Sequence, residues 1–204
     1  MADMKSFRDA VISWAWGGSG DPAQELAALL PVETAVLLEG PSDAAAVEAL
    51  AAGYGLDLTA QEVCVLPMGG AMNVGRFIDL LGPGGLDLRL TGLCDARERD
   101  YYARNWVRAG LPPEFFVCDV DLEDELIRAL GVERVTELVR QNGDLRPLRT
   151  FQSQPAQRDR SPEQQLRRFI GTKKGRKIHY GKVLVDALPH ESVPPPLRDL
   201  LDFL

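Results

Sequence analysis

The sequence predicts an α/β protein in which a sheet of about four mainly parallel strands is flanked by helices and followed by a helical C-terminal extension. Apolar runs of strand length alternate with helical patterns between residues 34 and 130, and this alternation is typical of βαβ units with a parallel sheet. Three of the apolar runs end at acidic residues, as buried parallel strands do when they bring polar side chains to the carboxyl edge of a sheet. After residue 131 only helical patterns continue.

The same patterns divide the chain into three segments. Residues 1–33 form an N-terminal helical extension, residues 34–131 the α/β core, and residues 132–204 a helical, partly basic C-terminal region. In the first segment, apolar side chains at helical spacing predict a helix over residues 4–16. A glycine-rich break separates that helix from a short one over residues 23–30.

Four strands alternate with four helices in the core, and Ser42 is the candidate N-cap of the first core helix. The predicted strands cover residues 34–39, 62–67, 87–94 and 115–118. The helices after the first cover residues 73–81, 98–109 and 121–130. In the C-terminal region, helices are predicted over residues 132–142, 162–171, 176–188 and 195–203, with a polar loop over residues 152–162.

The composition is that of an ordinary globular protein, with 45% apolar and 26% charged residues. No apolar run approaches the roughly 20 residues that a membrane-spanning helix needs, and the N-terminus lacks the basic and apolar regions of a signal peptide. We therefore expect a cytoplasmic protein without a membrane partner.

The cysteines Cys64, Cys94 and Cys118 lie inside predicted strands without zinc-site spacing, so we expect buried, small apolar side chains.

The net charge of −7 conceals a division along the chain. Residues 1–139 hold 10 Lys and Arg against 23 Asp and Glu, a net charge of −13, whereas residues 140–182 hold 12 against 3, a net charge of +9. A basic stretch beside an acidic sheet edge is what a metal-dependent enzyme acting on phosphates requires. A solvated basic helical face is the simpler alternative.

Three acidic clusters follow strands of the predicted sheet. Glu39 ends the first strand and Asp43 lies in the first turn of the next helix, so that both can face one cation, although Asp43 could serve the helix N-terminus alone. Asp95 ends the third strand, and Glu98 follows it at the start of a helix. The third cluster, after the fourth strand, contains Asp121 and Glu123. Hard oxygen ligands of this kind favour Mg²⁺ or Mn²⁺ over zinc.

Other motifs point less strongly to a ligand. Gly69 and Gly70 give only a weak indication of a phosphate-binding loop, and no GxxxxGK[ST] motif predicts an ATP site. The basic segment 171–182 offers candidates for nucleic-acid contacts, namely Lys173, Lys174, Arg176 and Lys182. A lysine of this segment that reached the metal site would stabilise charge developing on a phosphate. Tyr180 could stack on a base, but we favour a packing role.

The ordered motifs resemble a known family. The segments are VLLEGPSD (36–43), PMGGAMNV (67–74), GLCD (92–95) and DLEDEL (121–126). In this order they resemble the Toprim domain of OLD-family (overcoming lysogenization defect) nucleases. The similarity covers about residues 34–130 and extends more loosely into the basic C-terminal region.

The resemblance implies a Toprim-like, Rossmann-like sheet whose carboxyl edge binds one or two Mg²⁺ or Mn²⁺ ions and cuts or nicks nucleic acid, with DNA favoured over RNA. By the same resemblance, Glu39 and Asp43 fill the first acidic motif, Asp95 the second, and Asp121 with Glu123 the third. Lys177 is the best match to the family lysine. The implied catalytic residues are therefore Glu39 and Lys177.

Two departures from the family pattern stand out. The usual DxD motif reads Asp95, Ala96, Arg97 here, so a cation stands where a second acid is expected, and Glu98 is the candidate replacement. The family's N-terminal ATPase is also missing from this chain, which leaves open a separate ATPase partner. The oligomeric state stays open as well.

The sequence therefore predicts a stand-alone, metal-dependent Toprim nuclease. One alternative is a catalytically reduced Toprim module that binds nucleic acid or a partner protein. The observation that favours it is Arg97, which stands where a second acid is expected. A weaker alternative is a receiver-like phosphotransfer domain with Asp95 as phosphate acceptor, although the expected Thr and Lys are missing from their usual places.

Overall fold

A sheet of four parallel strands organises the molecule. The computed structural model describes residues 2–204, and it describes Lys174 through its backbone alone. The strands lie in the order β2-β1-β3-β4, and both neighbours of β1 run parallel to it. Their bounds are β1 Thr34–Leu38, β2 Val63–Pro67, β3 Arg89–Asp95 and β4 Phe116–Cys118. The predicted α/β fold with a parallel sheet is confirmed.

Helices precede, connect and follow the strands. Two helices, α1 Met4–Ala15 and α2 Asp21–Leu29, come before the sheet. The helices between and directly after the strands are α3 Pro41–Gly53, α4 Val74–Leu81, α5 Arg99–Arg108 and α6 Leu122–Leu130. The remaining helices are α7 Val132–Gln141, α8 Leu145–Gln152, α9 Pro162–Gly171, α10 Lys174–Asp186 and α11 Pro195–Phe203. Within residues 2–204, no helix combines the length and apolar character needed to cross a membrane.

The central strand β1 explains why the sheet is covered on both faces. All five of its residues are buried, and successive side chains of a strand point to opposite faces. Val36 and Leu38 join one apolar cluster, whereas Ala35 and Leu37 join the other. Helices must therefore lie on both sides, as expected for a parallel sheet.

The C-terminal helices complete one of these two clusters. Leu184 of α10 and Leu200 of α11 are fully buried and belong to the same cluster as Val36 of the sheet. Helix α10 packs closely on α3, and Gly181 permits that approach, since a Cβ atom at this position would lie only 3.0 Å from the carbonyl oxygen of Ser42. The packing fixes α10 against the start of α3.

The structure corrects several local predictions. Ser42 is not the N-cap of α3, because the helix begins at Pro41 and the Asp43 carboxylate accepts a hydrogen bond from the Gly40 N–H at 2.8 Å. Proline is favoured at the first helical position because its missing N–H costs nothing there. Helix α8 was not predicted. The predicted polar loop after it contains a short 3₁₀ turn over Pro155–Gln157.

Candidate active site

The parallel strands bring their carboxyl ends together, and the acids that follow them meet at this edge of the sheet. Glu39 follows β1, Asp95 ends β3, and Asp121 comes three residues after β4. Asp95 is half-buried, and burial together with the charges of Asp121 and Glu39 raises its pKa to about 7. Such mutual effects require that the carboxylates lie near one another. The edge therefore carries a concentrated negative charge.

Glu39 and Asp43 form the first part of this edge. The Glu39 side chain is exposed, whereas Asp43 is buried at the start of α3. Burial raises the pKa of both carboxyls; in Glu39 the charge of Asp43 raises it further, whereas Lys177 offsets part of the effect in Asp43. The two acids border a cavity of about 250 Å³, which the Gly69–Gly70 turn and Lys177 also line.

Glu98, and not Arg97, joins the cluster around Asp95. Arg97 is exposed to solvent and is not among the main charges that act on Asp95, whereas Glu98 is. Glu98 is half-buried, and its buried Oε2 atom has no hydrogen-bond partner among the described residues. A buried carboxylate oxygen without a partner is costly unless something else satisfies it. Glu98, three positions after Asp95, is thus the acid of this segment whose charge acts on Asp95.

Asp121 and Glu123 contribute the last two acids. Asp121 caps α6, accepting a hydrogen bond from the Asp124 N–H at 2.9 Å, and its other oxygen lies 2.6 Å from the Arg167 guanidinium. Glu123 is buried, and its Oε2 lies 3.2 Å from the Lys177 ammonium nitrogen. Burial raises the pKa of Glu123 to about 7 although Lys177 opposes the shift. Its Oε1 atom is buried without a hydrogen-bond partner in the described part of the chain.

Lys177 of α10 is the cation that the fold brings into the cluster. Burial acts to lower its pKa, but the charges of Glu123 and Asp43 outweigh burial, and the net shift is upward. Lys177 therefore stays protonated at neutral pH. It lies one helical turn before Gly181, where α10 packs tightly on the start of α3, so that helix packing helps to position the ammonium group.

The other basic residues predicted to contact nucleic acid are placed differently. Lys173 is exposed, and the side chain of Lys174 lies outside the described residues. Arg176 is held inside the C-terminal helices, with its guanidinium 4.1 Å from the Phe169 ring centroid and Nε 3.3 Å from Asp144. Lys182 pairs with Asp186 one turn along α10, at 3.0 Å. Arg176 and Lys182 are thus engaged by side chains outside the acidic edge.

Two of the remaining interpretations concern burial. Tyr180 is fully buried and donates a hydrogen bond to the Asp144 carboxylate at 3.3 Å, which agrees with a packing role. Cys64, Cys94 and Cys118 are all buried free thiols, as expected, and burial raises their pKa values well above the ordinary range.

Arg167 is the site residue that sequence reasoning missed. It lies in the predicted helix 162–171 within the basic stretch, so its charge and helix were both visible. The pairing with Asp121, 46 positions earlier, depends on how α9 packs against α6. The Ser161–Gln164 capping box signals the start of α9, but no local pattern indicates which acid its arginine meets.

The chemistry of these side chains fits a hard divalent cation. All six predicted ligands are carboxylates, which is the donor type that Mg²⁺ and Mn²⁺ prefer, and both Glu98 and Glu123 have a buried oxygen without a partner. As they stand, no three metal-binding side chains within residues 2–204 are close enough together to hold an ion. Asp121 and Glu123 instead pair with Arg167 and Lys177.

A parallel four-stranded sheet, covered on both faces and acidic at its carboxyl edge, places the chain in the α/β class. Residues 32–96, about a third of the chain, match the family described as "Overcoming lysogenization defect protein-like, TOPRIM domain". This part of the chain therefore resembles the Toprim domain of OLD-like proteins, and the resemblance predicted from the sequence is confirmed.

Solved structures share this fold over most of the chain. The C-terminal region of the Burkholderia pseudomallei OLD protein superimposes with a TM-score of 0.66 at 18% identity, covering 84% of this chain and 96% of that one. The C-terminal region of the Xanthomonas campestris pv. campestris OLD protein, phased with mercury, gives 0.64 at 23% identity, covering 84% and 93%. No curated protein matches the chain.

Proposed function

We propose that this protein is a divalent-metal-dependent nuclease that cuts or nicks the phosphodiester bonds of nucleic acid, with DNA as the preferred substrate. The observation that carries the proposal is the meeting of acids from three strand ends with one protonated lysine at a single sheet edge. The OLD-like Toprim match over residues 32–96 supports a relationship to nucleases.

In this proposal the cation is Mg²⁺ or Mn²⁺, held by carboxylates of the edge. The residues that would hold it are Glu39, Asp43, Asp95, Glu98, Asp121 and Glu123. A bound divalent ion supplies Lewis-acid activation of water and neutralises negative charge on the phosphate. The pKa values of Asp95 and Glu123 are raised first by burial and then by the charges of neighbouring acids, which supports this assignment because a bound cation would offset both effects.

Lys177 would stabilise the transition state. Its ammonium group is protonated at neutral pH and lies beside Glu123, within the cluster and at the border of the cavity next to Glu39. A positive charge fixed in this place favours the extra negative charge that develops on a phosphate during displacement. Because its pKa is raised, Lys177 is unsuited to act as a general base.

Glu39 is the best candidate for proton transfer. Its side chain is exposed on the cavity that Lys177 also borders, so that a water molecule can reach it. Partial burial of the Glu39 carboxyl and the charge of Asp43 raise its pKa. This shift brings the carboxylate closer to the basicity of an efficient general base at neutral pH.

The test is a cleavage assay on plasmid and single-stranded DNA with Mn²⁺, with Mg²⁺ and with EDTA. We expect nicked or shortened products only with the metal, and a loss of at least about a hundredfold in rate for Glu39→Gln. The matched control is Glu133→Gln, which removes an exposed carboxylate in the first turn of α7 and should cut like the wild type. The proposal fails if the wild-type protein gives no more product than Glu39→Gln both with Mn²⁺ and with Mg²⁺.

The two ion pairs at the edge favour a second candidate, a catalytically reduced module that binds nucleic acid or a partner without cutting. Arg167 and Lys177 already pair with Asp121 and Glu123, so these two acids have cations without a metal ion. Calorimetry with Mn²⁺ separates the candidates. A nuclease should bind the ion with an affinity that depends on Glu39 and Asp95, whereas a reduced module should show no such binding.

A further inference from the structure

Two neighbouring cavities lead away from the acidic edge across the C-terminal helices. The first, of about 430 Å³, begins at Asp121, Glu123 and Lys177. The second, of about 390 Å³, lies over α8 and the start of α10. The two cavities share Phe151 and Thr172, so they adjoin at these residues, and we call the pair the helical groove.

Beyond Asp121 and Glu123, basic side chains line the helical groove. Arg167 and Arg168 line its first half, and Arg146 and Lys173 line its second half. The side chains of Arg146, Arg168 and Lys173 are exposed, and within residues 2–204 none of them forms a salt bridge. Unpaired cations spaced along a groove are the usual means of following a phosphate backbone.

An aromatic ring stands at the junction of the two cavities. Phe151 lines both, is half-buried, and rests against Phe169, with 5.8 Å between the ring centroids. A base can stack on such a ring only if the face of the base is free. Base faces are accessible in a single strand but not inside a duplex. Cations on both sides of one aromatic ring therefore favour an unpaired strand as the occupant.

The end of α9 does not oppose an anionic occupant. The Phe169 carbonyl at this end accepts hydrogen bonds from the Thr172 hydroxyl at 2.7 Å and from Arg176 at 3.4 Å. The partial negative charge that a helix C-terminus carries is therefore offset by a guanidinium group, while the groove passes on to the start of α10.

We propose that the helical groove binds a single strand of nucleic acid, with Arg146, Arg168 and Lys173 contacting phosphates and Phe151 stacking on a base. The strand leads past Arg167 to the acidic edge, where the proposed cleavage takes place. This inference rests on the proposed function for the purpose of the groove, but the binding itself requires neither metal nor cleavage.

The experiment measures binding by fluorescence anisotropy, in EDTA and over a series of salt concentrations. The probes are a short fluorescein-labelled single-stranded DNA and the duplex of the same sequence. The variants are Arg146→Ala and Phe151→Leu, the latter because leucine keeps an apolar side chain against Phe169 while removing the aromatic face. Arg134→Ala is the matched control, since Arg134 is an exposed arginine of α7 that lines neither cavity.

We expect the wild type to bind the single strand more tightly than the duplex. Phe151→Leu should weaken this binding about fivefold or more, and Arg146→Ala should weaken it while reducing the salt dependence by about one counterion. Arg134→Ala should leave both quantities unchanged. Equal affinities of the wild type, Arg146→Ala and Phe151→Leu would overturn the proposal, as would a preference for the duplex or a failure of the wild type to bind.

Cleavage assays of the same proteins with Mn²⁺ keep this inference distinct from the proposed nuclease. Binding that depends on Arg146 and Phe151 without any cleavage supports the groove and removes the nuclease. Cleavage by the wild type that Phe151→Leu and Arg146→Ala leave unchanged, together with unchanged binding, supports the nuclease and removes the groove.

Discussion

The ammonium nitrogen of Lys177 lies 3.2 Å from Oε2 of Glu123, although 53 residues separate the two in the chain. Glu123 is almost completely buried, with 3% of its side chain exposed, whereas Lys177 keeps 35% exposed. The lysine thus connects a buried acid to solvent.

Replacing Lys177 with Met should lower the free energy of unfolding by about 1–3 kcal/mol at pH 8, because it leaves the buried Glu123 carboxylate without its cation. Lysine and methionine side chains have similar lengths, so the change removes charge with little loss of volume. Chemical denaturation monitored by fluorescence measures the effect. The double variant K177M/E123Q should recover most of the stability, and no recovery would show that the ion pair is not the cause.

The pKa values of Asp95 and Glu123, both about 7, predict that the metal-free protein loses stability as pH rises from about 4 to about 7. Over this interval the folded protein holds protons that the unfolded chain has already released, so the free energy of unfolding falls with pH. The metal-free protein is therefore more stable when the carboxyls of Asp95 and Glu123 are both protonated.

Thermal unfolding in EDTA tests this dependence. We expect Asp95→Asn to be more stable than the wild type at about pH 8, by on the order of 1–2 kcal/mol for a half-exposed carboxyl, and to match it at about pH 4. Added Mn²⁺ should stabilise the wild type at the higher pH by mass action. A difference between the variants that does not change with pH would contradict the assignment of Asp95.

Gly181 should control the position of Lys177 through helix packing. A Cβ atom there would lie 3.0 Å from the Ser42 carbonyl oxygen, so Gly181→Val should force α10 away from α3 and destabilise the protein by about 1–3 kcal/mol. Cleavage should fall as well. The control is Gly175→Ala on the same helix, where a Cβ atom meets nothing within 4 Å, and where we expect a gain of about 0.5–1 kcal/mol.

Glu98→Gln should weaken Mn²⁺ binding about tenfold or more in calorimetry, because it neutralises a half-buried carboxylate of the cluster. Arg97→Ala should leave the affinity unchanged, since the Arg97 side chain is exposed. The opposite pattern, with tighter binding in Arg97→Ala and no effect of Glu98→Gln, would mean that the arginine does disturb the site.

Arg176→Ala should lower the stability by about 1–3 kcal/mol, because it removes a guanidinium stacked on Phe169 and paired with Asp144. Arg176→Lys should recover only part of the loss, since an ammonium group lacks the planar fork. Lys173→Ala is the control for charge and should leave stability within about 0.5 kcal/mol. A large loss in Lys173→Ala would argue against a special structural role for Arg176.

The sequence predicted the sheet well because strand and helix signals are local. The apolar run before Glu39 is buried on both faces, and the acids stand where such runs end, so the meeting of Glu39, Asp95 and Asp121 at one edge follows from parallel strands alone. The start of α3 at Pro41 was missed because Ser42 and Asp43 are both good capping residues, and the choice between them depends on the chain's path after Glu39.

Long-range pairs were beyond this kind of reasoning. Arg167 and Arg176 are both arginines in a basic helical stretch, yet the first contacts Asp121 at the sheet edge and the second contacts Asp144 between helices. Their sequence neighbourhoods do not distinguish these partners. Only the packing of α9 and α10 on the core decides which arginine faces the acids.

The order of residues along the chain also sets the order in which this edge is completed during synthesis. All six acids lie at or before Glu123, whereas Arg167 and Lys177 come later. At ribosomal rates of about 5–20 residues per second, the interval between Glu123 and Lys177 lasts roughly 3–11 s. During that time the nascent chain carries the crowded carboxylates without their cations, so Asp121 and Glu123 gain their partners only after α9 and α10 have been made.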